Sequence, residues 1–395
     1  MSGGRRWIPG AAGFFLFGAV YYFLVPYAAF RWMPDSVMVR AAAPYVGAKF
    51  FDAWYWVDCA VIGASWTAGY LLGQRLPVRA GSLADEANEE PLATRVLVLA
   101  LGLFLLFQVA SAVRGGASFF TGYETYDIAV LGPLSTTLFS AVLLAIFSRD
   151  RVSRIAFLLL FLVTSVLMLG FGSRLFFLLG AVSLLISRVA GNAAILRRPW
   201  LYAGLAVLVG IVVPVGLLRQ GADVSWQGMA DIGVAEPVFT AVSAATFLEN
   251  GGGRPLLSVP VDVLASFVNF IPSVVWPSKT EVLTAMMDNP HVYSPFGASA
   301  LLGNLYANFG IFYPVFLAGV GAYYGFLRRK AQGSAFFQAV YFVALPLLMF
   351  HFFRENFVTV IKVMLFNALI LPWVAIRLAL YLSRAVAAQP AAPGR

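Results

Sequence analysis

Apolar residues in this chain come in long unbroken blocks rather than in the alternations or narrow stripes of a soluble fold. Ten blocks reach spanning length: residues 8–30, 53–73, 95–113, 128–147, 155–171, 175–190, 200–218, 299–326, 336–353 and 357–382. A hydrocarbon core of about 30 Å takes roughly 20 residues of helix. The pattern therefore predicts an all-α polytopic membrane protein with about ten transmembrane helices. They form a single membrane domain over 1–384, followed by a short Ala/Pro-rich tail, 385–395, expected to be disordered and cytoplasmic. The most informative seam lies between Ile155 and Ser187, whose one charge is Arg174 in Gly170-Phe171-Gly172-Ser173-Arg174. One helix over those 33 residues would be roughly 50 Å long, so two spans joined at the glycines fit better. An arginine held there at a membrane face can bind a phosphate whose lipid tail stays in the bilayer. The plainer alternative is a side chain that snorkels to the headgroups.

One connection is long, about 80 residues from Arg219 to Ala298 (roughly 219–298). It is apolar enough to hold short interfacial or re-entrant helices. Pro237 to Leu248 is a short apolar stretch with proline suited to a first helical turn. From Leu256 to Phe270, Asp262, Ser266 and Asn269 stand at i, i+4 and i+7 and make one polar stripe on an otherwise apolar helix. Such a helix either lies in the interface with its stripe solvated or re-enters the protein with its stripe toward a cavity.

Composition agrees: 61% of residues are hydrophobic and 11% charged, against about 25% charged in soluble domains. The net charge of +9 would suggest nucleic acid in a soluble protein, but here most basic residues sit in short loops. Alternate assignment of the loops divides the basic residues 17 to 10, and the denser set is assigned to the cytoplasm with both termini. The long loop then lies on the outer, periplasmic face together with Arg174, Arg219 and Arg354. Arg5-Arg6 and the following block read as a retained first span rather than a cleaved signal. Cys59 is the lone cysteine, so no intrachain disulfide can form. Two histidines, His291 and His351, without Cys or carboxylate partners at ligand spacing give no metal signature. No phosphate loop, dinucleotide fingerprint or nucleophile elbow is present either, and no cofactor is implied.

The order of motifs resembles that of the bacterial oligosaccharide repeat-unit polymerases, the Wzy-type O-antigen and exopolysaccharide polymerases. The residues that carry the likeness are Gly172-Ser173-Arg174, Arg219, Pro272, Trp276-Pro277-Ser278-Lys279, Gly297, Gly303, Asn308-Phe309-Gly310 and Phe353-Arg354, all between about 155 and 357. The first four blocks contribute only hydropathy. Two departures are visible: Asn304 stands where many relatives carry an acidic residue, and no clean Arg-x10-Gly repeat follows Arg219 or Arg254.

The resemblance implies a membrane glycosyltransferase of the bacterial inner membrane that joins lipid-linked repeat units at its outer face. Donor and acceptor would be oligosaccharides on undecaprenyl diphosphate, and a polysaccharide chain-length regulator is an expected partner. It is expected to need no metal, because Arg174, Arg219 and Arg354, with Arg254 and Lys279 as substitutes, would neutralise the departing diphosphate. His291 is the first candidate for the base that activates the acceptor hydroxyl, followed by Asp262, Glu281 and Asp288. Trp276, Tyr293 and Tyr306 are candidates to stack on sugar rings, as are Trp226 and Tyr313; an interfacial aromatic belt is the alternative. The rival functions are an O-antigen ligase that moves the glycan to lipid A core, within lipopolysaccharide assembly, and a transporter or flippase for the lipid-linked unit.

Overall fold

The structure, a computed structural model, describes residues 7–47, 49–78, 81–116, 128–171, 173–199, 201–204, 206, 210, 225–250, 252–271, 275–287, 293 and 297–388. Among the described residues all regular structure is helical. In chain order the helices are α1 (Ala11–Trp32), α2 (Val37–Ala42), α3 (Ala53–Gly73), α4 (Pro91–Arg114), α5 (Ile128–Phe147), α6 (Arg151–Gly170) and α7 (Arg174–Gly191). They continue with α8 (Trp226–Glu249), α9 (Val261–Phe270), α10 (Lys279–Met287), α11 (Leu301–Phe309), α12 (Tyr313–Ala331), α13 (Ala335–Arg354) and α14 (Phe357–Ala387).

Among the described residues eight segments are long and apolar enough to cross a membrane, seven of them blocks expected from the pattern and the eighth Gly228–Glu249. Apolar side chains such as Leu99, Leu103, Leu106 and Phe107 on α4, and Leu159 and Leu162 on α6, point outward. Rows of that kind suit contact with lipid tails and not with water. The chain is a multi-pass helical membrane protein. Helix α3 forms at its expected bounds, but Asp58 and its small polar residues dilute its apolar character. The expected 200–218 span falls mostly outside the described residues. At the C-terminus α14 runs to Ala387, three residues into the expected tail, and 389–395 lie outside the described residues.

The spine of the bundle is the parallel pair α3 and α12. Gly69 and Gly73 lie against the Ala318 and Ala322 carbonyls, while Gly321 and Gly325 lie against those of Trp66 and Tyr70. A Cβ at any of the four would sit 1.9–2.2 Å from a carbonyl oxygen. Two interlocked Gly-x3-Gly pairs thus bring the backbones into contact, the association mode available where lipid removes the hydrophobic drive. Gly319, on the same helix, faces open space.

The spine gives the molecule two recognisable ends. At one, Arg328 reaches the Gln74 side chain and the Ile8 carbonyl, and the Ala11 N–H donates to the Tyr70 hydroxyl. At the other, Tyr313 donates to Asp58. Asp58 and Gln74 are sixteen residues apart on one helix, roughly 24 Å. These are called the Arg328 end and the Arg254 end below.

The segment expected as an outer loop packs into the Arg254 end. The sequence placed a helix start at Pro237, but α8 begins at Trp226, with Ser225 as its cap, and Pro237 is interior. An interior proline frees the carbonyl four residues earlier. Here that oxygen, on Gly233, accepts from the Tyr21 hydroxyl at 2.9 Å, so a neighbouring span closes the gap. Both ends of α8 touch the α2 region: Asp231 accepts from Ser36, and the Glu249 carboxylate lies against Gly47. It lies beside α2.

The expected 299–326 span is broken at Gly310. Its φ of 55° is in the left-handed region, and a Cβ there would lie 2.6 Å from the Pro255 carbonyl. Only glycine satisfies both conditions. The break leaves α11, nine residues long, suspended at the Arg254 end.

Candidate functional site

Helix α11 carries polar side chains in three directions, and each meets charged residues from a distant part of the chain. Tyr306 donates its hydroxyl to Asp58 at 2.6 Å, beside the Tyr313 hydroxyl at 3.0 Å. The other Asp58 oxygen accepts from Arg254 Nε and Nη2 at 3.2 and 3.1 Å. Asp58 is 4% exposed, and four donor groups converge on its two carboxylate oxygens. The Arg254 guanidinium is partly open and lies 5.9 Å from the Tyr306 ring centroid.

The second contact is through Asn304, which accepts from Ser299 and donates to the Glu355 backbone carbonyl at 3.0 Å. The Ser299 N–H in turn donates to the Arg354 carbonyl. Arg354 lies between two carboxylates, in ion-pair contact with Glu236 of α8 through Nε and with Glu355 at 3.1 Å through Nη1. Glu355 is in the break between α13 and α14. Burial pushes its carboxyl up to about 7; Arg354 works against that rise and Glu236 adds to it.

The third contact is Asn308, whose Oδ1 accepts from the Asp262 N–H at 2.9 Å and whose Nδ2 donates to the Asp262 carboxylate at 3.2 Å. That carboxylate also accepts the Phe357 backbone N–H at the start of α14, and burial raises its pKa. Helix α9 is thereby oriented with Asp262 and Ser266 inward and with Leu264 and Phe267 outward. Of the two arrangements open to its polar stripe, the helix adopts the one that faces protein.

The expected site residues fare unevenly. Arg254, Arg354 and Asp262 are brought together around α11. Arg174 opens α7 directly after the break at Gly170, half-buried, and Phe176 within the same turn lies 5.8 Å from the His351 ring, one turn before Arg354. Lys279 is buried away from any open surface: it donates to the Ile271 and Asn269 carbonyls at 2.7 and 3.4 Å, the C-terminal end of α9. Cations are favoured at such ends, and burial lowers its pKa. Tyr306, expected as a stacking platform, is 4% exposed, and its ring packs edge-on against Tyr313. Tyr293 is half-exposed and stacks on Tyr45, centroids 4.7 Å apart. Trp276 donates to Ser278, and Glu281 is exposed in the first turn of α10. Arg219, His291 and Asp288 lie outside the described residues, as do Gly172 and Pro272; of Trp226 only the backbone is described.

Sequence reasoning missed Asp58, Glu236 and Tyr21. For Asp58 a signal was available, since an ionisable residue within a span is a functional candidate by default. Among the described residues no group of three or more His, Cys, Asp or Glu is placed to hold a metal ion. No family model, curated protein or solved structure matches the chain.

Proposed function

We propose that this protein is a membrane glycosyltransferase of the bacterial inner membrane. In this reading it joins undecaprenyl-diphosphate-linked oligosaccharide units into O-antigen or exopolysaccharide at the outer face. About ten spans orient the Arg254 end outward, and a chain-length regulator acts as partner. The observation that supports it most is the meeting around α11 of two guanidinium groups, from positions 254 and 354, with a carboxyl that titrates near neutrality.

Both arginines are already paired with carboxylates, and this suggests an order of events. An arriving diphosphate competes for a guanidinium and displaces Glu355 or Glu236 from Arg354. The displaced carboxylate is then free to accept the proton of the acceptor hydroxyl as that oxygen bonds to the anomeric carbon and the anomeric C–O bond to diphosphate breaks. The leaving group takes the electron pair, and the arginines hold its charge. Glu355 replaces His291 as the first candidate for the base in this scheme. It sits against Asn304, the position at which the resemblance leads one to expect an acid.

The test is purified protein in proteoliposomes with a polyprenyl-diphosphate-linked repeat unit. Wild type should lengthen the glycan unaided, and Arg354→Ala should slow extension by about 10²-fold or more, the scale for loss of a charge-stabilising group. Lengthening unaffected by Arg254→Ala and Arg354→Ala together would remove the site. A ligase would transfer glycan to lipid A core and make no longer chains. The transporter reading has one feature in its favour, π-helical turns at Val20–Leu24, Leu347–His351 and Lys362–Ile370 within three spans. It predicts movement of the lipid-linked unit across the vesicle without any lengthening.

A further inference from the structure

At the Arg328 end, about 24 Å from the α11 network, a half-open cleft of about 1150 Å³ enters the bundle between α12, α13, the α5–α6 turn and the residues before α1. Arg149, Arg154 and Arg328 line it, and among the described residues no carboxylate does. Two acids next to lining residues have partners of their own: Asp85 accepts from Ser334 and from the Phe336 N–H, and Asp150 caps α6 through Ser153. The arginines are held by neutral groups. Asn88 fixes the Arg149 backbone at 2.8 Å, Arg154 donates to the Arg149 carbonyl at 3.4 Å, and Arg328 donates to Gln74 and Ile8. Arg328 Nε is buried without a hydrogen-bond partner. The rest of the lining is mixed: Asn88, Ser148, Gln332, Ser334 and Gln338 beside Ile8, Ile146, Phe147 and exposed Trp7.

Three arginines line a cleft at one end of a membrane bundle and so match the negative head of a lipid. We infer that this cleft is a binding site for a phosphate-bearing headgroup, and that the ligand is an anionic phospholipid of the surrounding bilayer. Guanidinium groups form forked bonds to phosphate oxygens, and the missing carboxylates leave no internal competitor. The residues preceding Trp7 include Arg5 and Arg6 and so carry the sign of the cleft, not of its ligand. This inference is independent of the glycan chemistry assigned to the other end.

The experiment uses full-length protein in nanodiscs of phosphatidylcholine doped with phosphatidylglycerol, with bound lipid counted by native mass spectrometry. Wild type should retain phosphatidylglycerol over phosphatidylcholine. The double variant Arg149→Gln, Arg154→Gln should weaken that retention about tenfold or more. Arg197→Gln, on an exposed turn outside the cleft, should change it less than about twofold. Gln332→Glu adds a negative charge at the exposed rim without removing an arginine, and should weaken retention even if the double variant fails to fold. Equal loss in Arg197→Gln, or no loss in the double variant and in Gln332→Glu, would overturn the site. In a separate arm, millimolar inorganic phosphate is added. If it displaces the lipid only at the sum of their charges' screening, matched by sodium chloride, the lipid source stands. Specific displacement by phosphate beyond the salt control would overturn the lipid source and assign the cleft to a soluble phosphate compound.

Discussion

The two ends of the bundle use the same side chain in opposite ways. At the Arg254 end, Arg254 and Arg354 meet Asp58, Glu236 and Glu355, and their charges are balanced within the protein. At the Arg328 end, Arg149, Arg154 and Arg328 line an open cleft beside neutral donors and acceptors. Arginine number is therefore a poor guide to anion binding. What separates the α11 network from the cleft is whether a carboxylate has already claimed the guanidinium, and that depends on long-range contacts between residues 58 and 254, or 236 and 354.

The comparison can be broken most sharply at Asp58. Asp58→Ala leaves Arg254 and two tyrosine hydroxyls without their shared acceptor and should destabilise the fold by about 3 kcal/mol or more. Thermal unfolding in detergent measures this, and a shift no larger than that of a surface variant would show that the balance at this end is not structural. Next in size is Glu355. Its ordinary value of 4.5 is raised to about 7 in the fold, so folding favours its protonated form. Its contribution to stability is full below about 4.5 and is lost as pH rises through about 7, a change of up to about 3 kcal/mol. Melting temperatures across that range should fall for wild type, and the slope should flatten in Glu355→Gln. Under the proposed chemistry, wild-type chain extension should rise over the same interval, and the glutamine variant should lose that rise.

Smaller effects sharpen the contrast. Tyr21→Phe removes the donor to the Gly233 carbonyl freed by Pro237 and should cost about 1 kcal/mol, read as a lower melting temperature. Pairing at the Arg328 end should matter least. Arg384 bridges Glu86 and Glu90, but its side chain is 59% exposed, so Arg384→Ala should change stability by less than about 1 kcal/mol. A larger loss there than at Tyr21 would invert the ranking of the two ends.

Much of this architecture was legible in the chain. Residues 53–73 and 128–147 are helical at their expected limits, and the break at Gly170 to Arg174 falls where one charge interrupts an apolar run. Those features are local: apolar length and a glycine suffice. The fate of the long connection was not legible, because a loop that packs into a membrane bundle and one that lies on its surface share the same composition. Nor does Pro237 reveal from sequence that Tyr21, more than 200 residues away, supplies the missing donor. Asp58, a charge within an apolar block, offered a signal that was missed, and its partners lie 196 to 255 residues away, where nothing local names them.

Helix α11 draws one consequence from all of this. Asn304 and Asn308 lie on one side of a nine-residue rod, and Tyr306 lies on the other. A rod tethered on opposite sides resists turning about its own axis, because rotation that eases one tether strains another. Motion at this end is therefore expected as a single hinged swing about Gly310, with Asp58, Asp262 and Glu355 all released together or all kept. Whatever loosens one of the three should be felt by the remaining pair in the same instant.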